Sequence, residues 1–284
     1  MKYCLLIFFL FFSFFSFSQD SLSLEKKHQK GKMYFYWGWN RAIYSHSDIQ
    51  FIGPDHNFTL YDVQANDRQT PFSMDPYFNP VLITIPQTNV RFGYFITDNW
   101  EVSIGVDHMK YVMAQNQTVA INGFIDVPGK EFSGSYENDS IQLTEDFLTF
   151  EHTDGLNYFN VELNRFENLV CFNRFSKLNI DLNILGGVGA GMMVPKSNVM
   201  LFDEQRNDQF HVAGWGLSAK LGLNLTIYEY FFIQSELKGG YLNMPDILTR
   251  ADHAYTAKQD FFFLQCNFLI GAIFPIVHPE KHKN

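Results

Sequence analysis

Two short stretches of the chain hold residue types that could perform acid–base chemistry. Asp107 and His108 are adjacent, and Glu151-His152-Thr153-Asp154 places a second histidine among carboxylates and a hydroxyl. A histidine base that is oriented by a carboxylate beside a hydroxyl is the combination that ester hydrolysis requires. No fixed spacing links the two stretches. Asp107, His108, His152 and Asp154 are therefore weak catalytic candidates, and the sequence leans towards a protein that is not an enzyme.

Motifs for metals and cofactors are absent from the sequence. The chain contains no CxxC, HExxH, P-loop, GxGxxG or GxSxG pattern, and each of these would place a particular ligand or nucleophile. We therefore expect no metal and no cofactor. The acidic residues between Ala114 and Asp154 could bind Ca²⁺, but they lack EF-hand spacing, so a solvated acidic surface is the expected role.

The elements that must position these residues are strands. From Ala213 to Ile227 every second residue is apolar, and the residues between are small or polar almost throughout. The alternation resumes from Phe231 to about Asn243. A helix turns by about 100° per residue and would spread the apolar positions around its circumference. The pattern therefore predicts two long strands joined by a tight turn, with one apolar and one polar face.

The same alternation predicts six further strands, which makes eight. The connections between them alternate long and short, and His56 to Gln64, inside the first long connection, alternates weakly and could extend a hairpin. An even strand count with this order of connections predicts an all-β fold: a transmembrane antiparallel up-and-down β-barrel with long extracellular loops and short periplasmic turns. The six strands are about Met33–Tyr44, Asn89–Ile96, Trp100–Met113, Leu156–Val170, Leu178–Val194 and Asp260–Ile276.

Composition agrees with a wall between lipid and a polar interior. Aromatic residues make up 17% of the chain and charged residues 18%, which is unusual for a soluble protein. After residue 18 no run of about 18 apolar residues occurs, so spanning helices are excluded while spanning strands are not. The formal net charge is −9, and so acidic a chain is not expected to bind nucleic acid.

The sequence divides into four segments. Residues 1–18 combine Lys2, an apolar core and the small-x-small end Ser16-Phe17-Ser18, the pattern of a cleaved secretory signal peptide. Residues 19–32 form a charged arm, expected in the periplasm, residues 33–276 form the barrel, and residues 277–284 form a C-terminal tail. We therefore expect an exported protein.

Parity along the strands assigns eight charged side chains to the barrel interior. An eight-stranded barrel is just wide enough for side chains to fill it, and an unpaired buried charge costs several kcal/mol. We expect these groups to pair into a network that plugs the lumen, and a narrow conductance path or a gate is the alternative. The eight are Arg91, Glu101, Asp107, Glu162, Asp181, Lys220, Glu236 and Lys238.

All four tryptophans fall on the outward parity. Amphipathic rings gather at the two edges of the apolar band of a membrane barrel, so Trp37, Trp39, Trp100 and Trp215 are predicted to form an aromatic belt. A platform for sugars is the alternative. His108 also falls on the outward parity.

The last predicted strand carries Gly271-Ala272-Ile273-Phe274, which resembles the Gly-x-x-aromatic pattern near the C-terminus of outer-membrane barrels. With the strand count and the order of connections, Met33 to Ile276 resembles the small eight-stranded outer-membrane barrels of Gram-negative bacteria, the OmpA-like and OmpX-like group. The tail after Phe274 departs from that pattern. The resemblance implies a monomer in the outer membrane that contacts lipid and lipopolysaccharide and whose loops could bind an extracellular ligand.

The predicted function is a structural or surface-interaction role, with the outer loops as the contact surface. The resemblance also supplies the first alternative, a rim-sited outer-membrane lipid acyl hydrolase, because some small barrels carry a histidine, a serine and a carboxylate near the outer rim. The second alternative is a carrier of small hydrophobic molecules through a lateral opening.

Overall fold

The computed structural model describes residues 29–82, 85–171, 179–204 and 207–276. The expected signal peptide, residues 19–28 of the expected arm and residues 277–284 of the tail lie outside these ranges. Residues 172–178, which include the predicted start of the fifth strand at Leu178, also lie outside them. Inside them, no helix combines the length and the hydropathy that crossing a bilayer requires.

The described residues are almost entirely β-structure. They include one short helix, α1 (Met74–Tyr77), and a 3₁₀ turn at Pro80–Leu82. In chain order the strands are β1 (Lys32–Tyr44), β2 (Ser47–Gly53), β3 (His56–Val63), β4 (Ala65–Asn66), β5 (Thr88–Phe95), β6 (Trp100–Met113), β7 (Thr118–Ile125), β8 (Gly134–Gln142), β9 (Leu148–Cys171), β10 (Ile180–Met193), β11 (Lys196–Leu201), β12 (Asn207–Phe210), β13 (Gly214–Ile227), β14 (Phe231–Leu248) and β15 (Thr256–Pro275).

Eight of these strands close into one antiparallel ring. The order around the ring is β1-β5-β6-β9-β10-β13-β14-β15, and β15 returns to pair with β1. The closing seam runs without a break from Lys32 opposite Pro275 to Tyr44 opposite Phe263. Each ring strand therefore has a hydrogen-bonded neighbour on both sides, and the ring has no edge. The predicted all-β, eight-stranded antiparallel barrel is confirmed.

The two faces of the ring strands differ as the alternation predicts. In β13, Leu217 and Leu221 are 52% and 67% exposed on the outer face, whereas Ser218 and Lys220 are buried inside. Successive side chains of a strand point to opposite faces. A period of two in the sequence therefore becomes an apolar exterior and a polar interior.

The outer connections fold into further strands, which the sequence analysis treated as loops apart from one weak hairpin. The outer end of β15 pairs with β2, and β3, β7 and β8 extend this sheet in order. β11 pairs with β12 and with the outer end of β9. We call these six outer strands (β2, β3, β7, β8, β11, β12), with residues 148–155, 244–248 and 256–259 of the ring strands, the cap. These parts of the ring strands extend into the cap, so β9 begins at Leu148 rather than at the predicted Leu156. β14 likewise ends at Leu248 rather than at about Asn243.

The cap has an apolar core of its own. Phe51 and Phe58 stack with ring centroids 5.2 Å apart, and Phe150 lies edge-on to Phe51 at 5.7 Å. Phe147 and Phe202 pack beside them, and all five rings are buried. Burying a side chain of this size contributes about 1.5–3 kcal/mol. The cap is therefore held by its own core as well as by strand pairing.

Part of the first outer connection, residues 72–82 and Ile85, folds back over the outside of the ring. We call it the folded-back segment. Lys110 Nζ donates to the carbonyl oxygen of Ile85 at 2.5 Å, and Phe78 packs against Trp39. Lys110, at an outward position of β6, is thereby covered, and His108, two residues before it on the same face, is only 5% exposed. Parity predicted an outward-facing His108, and this side chain is buried although it points outward, with its ring beside Asn157.

Candidate functional site: the charged barrel interior

Glu162 of β9 is the centre of the charged interior. Its carboxylate receives Lys238 Nζ at 2.6 Å, Lys220 Nζ at 2.8 Å and Arg91 Nη2 at 3.0 Å. These cations come from β14, β13 and β5, so the contacts cross the barrel rather than following one strand pair. All four side chains are at most 2% exposed. One carboxylate with three cations needs further anions nearby.

Asp107 of β6 and Glu236 of β14 supply these anions. Asp107 accepts from Lys238, and Asn89 and Asn160 donate to it at 2.9 and 3.0 Å. Glu236 accepts from Lys220 at 2.7 Å. Each cation thus lies between two carboxylates, and each carboxylate also accepts from neutral donors. That arrangement offsets much of the cost of removing charge from water.

The two remaining predicted interior charges lie nearer the inner end of the barrel. Glu101 accepts from Tyr34 Oη at 3.0 Å and from Asn164 Nδ2 at 2.9 Å. Asp181 is buried at the start of β10, opposite Thr226. A cavity of about 10 Å³ lies beside Tyr34 and Glu101, which is room for about one water molecule.

Tyrosine rings fill the space around the charges. Arg91 Nε donates to Tyr36 Oη at 2.9 Å, and Lys238 Nζ lies 5.1 Å from the Tyr158 ring centroid. Tyr158 has room because glycine stands opposite it: a Cβ on Gly216 would lie 2.9 Å from the tyrosine ring.

The four catalytic candidates do not come together. Asp107 belongs to the charged interior, whereas His108 points the other way from the same strand, and its Nδ1 lies 2.8 Å from Asn157 Oδ1. Asp154 is half-exposed and accepts from Lys196 Nζ at 3.2 Å. His152 lies in the cap core. Adjacent residues of a strand face opposite sides, so the pair Asp107–His108 could not form one site.

His152 has a hydroxyl partner that the sequence analysis did not single out. Ser197 Oγ lies 2.9 Å from His152 Nδ1, and both residues are buried, with the rings of Tyr111 and Phe150 packed on the imidazole. Burial lowers the pKa of His152 to about 3. A general base needs a pKa near the working pH and access to substrate, and this pair has neither. Ser197 lies in a connection whose sequence carries no nucleophile motif.

The tryptophans occupy different levels of the barrel. Trp100 begins β6 next to an inner turn, and Trp215 lies at the outer end of β13; both are exposed. Trp37 and Trp39 lie in the middle of β1, where a girdle is not expected. Tyr77 and Phe78 of the folded-back segment partly cover them.

Two of the acidic residues before β10, Glu151 and Asp154, are paired with cations. Glu151 pairs with Arg68 at 2.9 Å and accepts from Asn198 Nδ2 at 2.5 Å. Among the described residues, no group of three or more His, Cys, Asp or Glu side chains is arranged to hold a metal ion.

Comparisons with known proteins give structural matches alone. No family model matches the chain, and no curated protein gives a significant match. The outer membrane protein OprG of Pseudomonas aeruginosa is 10% identical, with a TM-score of 0.41 over 88% of this chain and 99% of that one. AlkL is 10% identical, with a TM-score of 0.37 over 93% and 100%. Ail of Yersinia pestis is 10% identical, with a TM-score of 0.28 over 84% and 99%. The chain is similar to these outer-membrane proteins, and its own closed ring of strands defines its fold.

Proposed function

We propose that this chain is a non-conducting outer-membrane barrel that anchors the cap at the outer surface and presents it as a contact surface. One observation carries the proposal: a closed ring with an apolar exterior surrounds an interior crossed by ion pairs. In such a barrel the wall faces lipid, the interior blocks passage, and the cap is left to make contacts.

The exterior supports a lipid environment. Ile104, Val188 and Leu221, on three different ring strands, are each more than 60% exposed. Soluble monomers rarely expose contiguous apolar patches larger than a few hundred Å². The backbone of a closed ring has no unsatisfied hydrogen-bonding edge, which is the other condition for lying in hydrocarbon.

The interior supports a plugged lumen. An ion that passed the level of Glu162 would have to displace contacts of 2.6 to 3.0 Å made by three buried cations. Separating such pairs leaves uncompensated charges at a cost of several kcal/mol. The side chains also come from strands on different sides of the ring, so the block is anchored all round.

The cap supports the contact role. Its apolar core fixes the strands in the free protein, so binding would not carry a large ordering cost. Its outermost described strand, β8, is exposed along almost its whole length and carries Glu137 and Asp139. Charged residues on an edge strand also discourage edge-to-edge aggregation. The expected partners remain outer-membrane lipid, lipopolysaccharide and an extracellular ligand.

Planar-bilayer recording tests the proposal directly. The purified protein should insert without steady conductance, while Arg91→Ala/Glu162→Ala should admit ions because it removes two bulky groups from the centre. The matched control is Arg165→Ala/Glu167→Ala, which removes an ion pair from the outer face and should stay silent. Steady conductance by the unaltered protein would contradict the plug, and recovery of the protein in the aqueous fraction would contradict the membrane location.

A further inference from the structure

The segment Phe72–Leu82 is attached to the outside of the barrel. The Phe78 ring centroid lies 5.1 Å from that of Trp39 and 6.4 Å from that of Trp37. Tyr77 is buried, and its hydroxyl accepts from Arg41 Nη2 at 3.0 Å. These contacts fix the segment against β1 on the face that the proposed function assigns to lipid.

The rest of the segment points apolar side chains away from the protein. Val81 is 86% exposed, Phe72 72% and Met74 69%. Three large apolar groups within ten residues, all turned outward, form a surface that water solvates poorly. A partner of apolar character is therefore needed to cover them.

The backbone amides of the segment need few hydrogen bonds to solvent. From residue 76 to 82 every amide hydrogen has an acceptor inside the segment, and the two prolines have no amide hydrogen. A segment that lies in lipid must satisfy its backbone internally in this way. The amide hydrogens of Tyr77, Phe78, Asn79 and Leu82 are donated to the backbone carbonyl oxygens of Ser73, Met74, Pro76 and Asn79, respectively. The amide hydrogen of Val81 is donated to Asn79 Oδ1.

The level of the contacts decides what the partner is. Trp37 is the sixth of the 13 residues of β1, and it pairs with Ile270 and Val90, which are apolar outward positions of the neighbouring strands. The segment is thus continuous with the apolar exterior rather than with the cap. Asp75, its one charged group, accepts from Asn79 Nδ2 at 2.8 Å and suits the headgroup side of an interfacial segment.

We infer that Phe72–Leu82 is an interfacial flap that inserts Phe72, Met74 and Val81 among the acyl chains of the outer leaflet. The inference rests on the proposed membrane location. Its lipid contact adds to that of the barrel wall and holds the first outer connection down against the membrane.

Spin labels test the flap in phosphatidylcholine–phosphatidylglycerol vesicles. In a protein whose cysteines are replaced by serine, single cysteines are introduced by Val81→Cys and Phe72→Cys. Leu221→Cys, on the barrel wall, is the lipid reference, and Val212→Cys, 57% exposed beyond the outer end of β13, is the aqueous reference. Heat-dependent gel mobility selects the folded protein. Oxygen collects in acyl chains and a nickel chelate in water, so the ratio of their collision rates reports the surroundings of each label.

The flap labels should give a ratio close to that of Leu221 and several-fold above that of Val212. A Val212-like ratio at both flap positions, with Leu221 in lipid, would overturn the flap and leave the barrel standing. A Leu221 label in water would instead overturn the membrane location. If oxygen and the nickel chelate both fail to reach the flap labels, and increasingly so as the protein-to-lipid ratio rises, a second copy of the protein covers the segment. That result would also overturn lipid as the partner.

Discussion

Replacing Glu162 by glutamine tests whether the barrel interior is dry. The substitution keeps the shape of the side chain and removes one negative charge. Arg91, Lys220 and Lys238 would then share Asp107 and Glu236, because those two carboxylates are the other partners of the three cations. One buried positive charge would remain without compensation.

The expected magnitude follows from that count. Removing one partner of a buried ion pair costs about 3–5 kcal/mol, and Glu162 is a partner to three cations at 2.6 to 3.0 Å. We therefore expect Glu162→Gln to lose at least the lower figure. Glu162→Gln combined with Lys238→Met removes one charge of each sign and should recover part of the loss. Glu167→Gln breaks the exposed pair with Arg165 and should cost less than about 1 kcal/mol.

Urea unfolding in lipid vesicles measures these differences. Tryptophan fluorescence follows the transition, and heat-dependent gel mobility confirms that the folded barrel is the starting state. If Glu162→Gln unfolds with the same free energy as Glu167→Gln, the interior carboxylate is screened by water. The lumen is then hydrated, and the plug loses its physical basis.

Three further predictions concern the seam and the cap. Gly38→Ala should reduce stability by about 1–3 kcal/mol, because its Cβ would lie 2.1 Å from a backbone carbonyl oxygen of β15. Gly239→Ala is the control and should be tolerated, because its Cβ would have its nearest contact at 3.6 Å. Gel mobility on heating compares the two variants. Phe58→Ala should destabilise the cap by about 3–5 kcal/mol, so that limited proteolysis cuts the cap and spares the barrel. The control is Phe124→Ala, which replaces a side chain that is 44% exposed and should leave the digestion pattern unchanged. Burial lowers the pKa of His152 to about 3, so the unfolded cap, with a histidine pKa near 6.5, binds the proton first as pH falls from about 6.5 towards 3. Hydrogen exchange of cap amides, corrected for the pH dependence of the intrinsic exchange rate, should give an opening free energy about 2 kcal/mol lower at pH 5 than at neutral pH. An opening free energy that does not change with pH, or the same change in His152→Gln, would refute it.

The ring could be predicted from the sequence because its two faces differ in polarity, which gives every ring strand a period of two. The predicted starts at Trp100, Phe231 and Met33 match or adjoin the observed strand starts. The two inner turns that lie within the described residues, between β5 and β6 and between β13 and β14, are short and leave no room for extra structure. The interior positions of Arg91 and Lys220 follow from the same parity, but their shared partner Glu162 does not. Strands that are far apart in sequence come together only once the ring closes.

The cap and the folded-back segment could not be predicted in the same way. β2, β3 and β7 have eight residues or fewer, which is short for a pattern of period two. The pairing of β2 with β15 joins residues 49–52 to 256–259, a separation that no local signal encodes. The burial of His108 could not be predicted either, since parity gives the side that a residue faces and not what covers that side.

A single strand, β15, shows why barrel and cap have different cores. At its inner part Asn267 and Gln265 face inward and are buried, while Phe268 and Leu264 face outward and are exposed. Further out along the strand the pattern changes: the inward residues Phe263, Phe261 and Ala257 are apolar, and the outward residues Asp260 and Lys258 are charged. The one polar inward residue among them, Gln259, donates to Ser47 and Tyr111. In the proposed membrane location, lipid supplies the apolar environment for the barrel from outside, so its interior can be polar, whereas water around the cap requires an apolar core inside. The change along one continuous strand therefore places the outer boundary of the proposed lipid-facing band near Phe262, which is the last exposed aromatic side chain before Asp260.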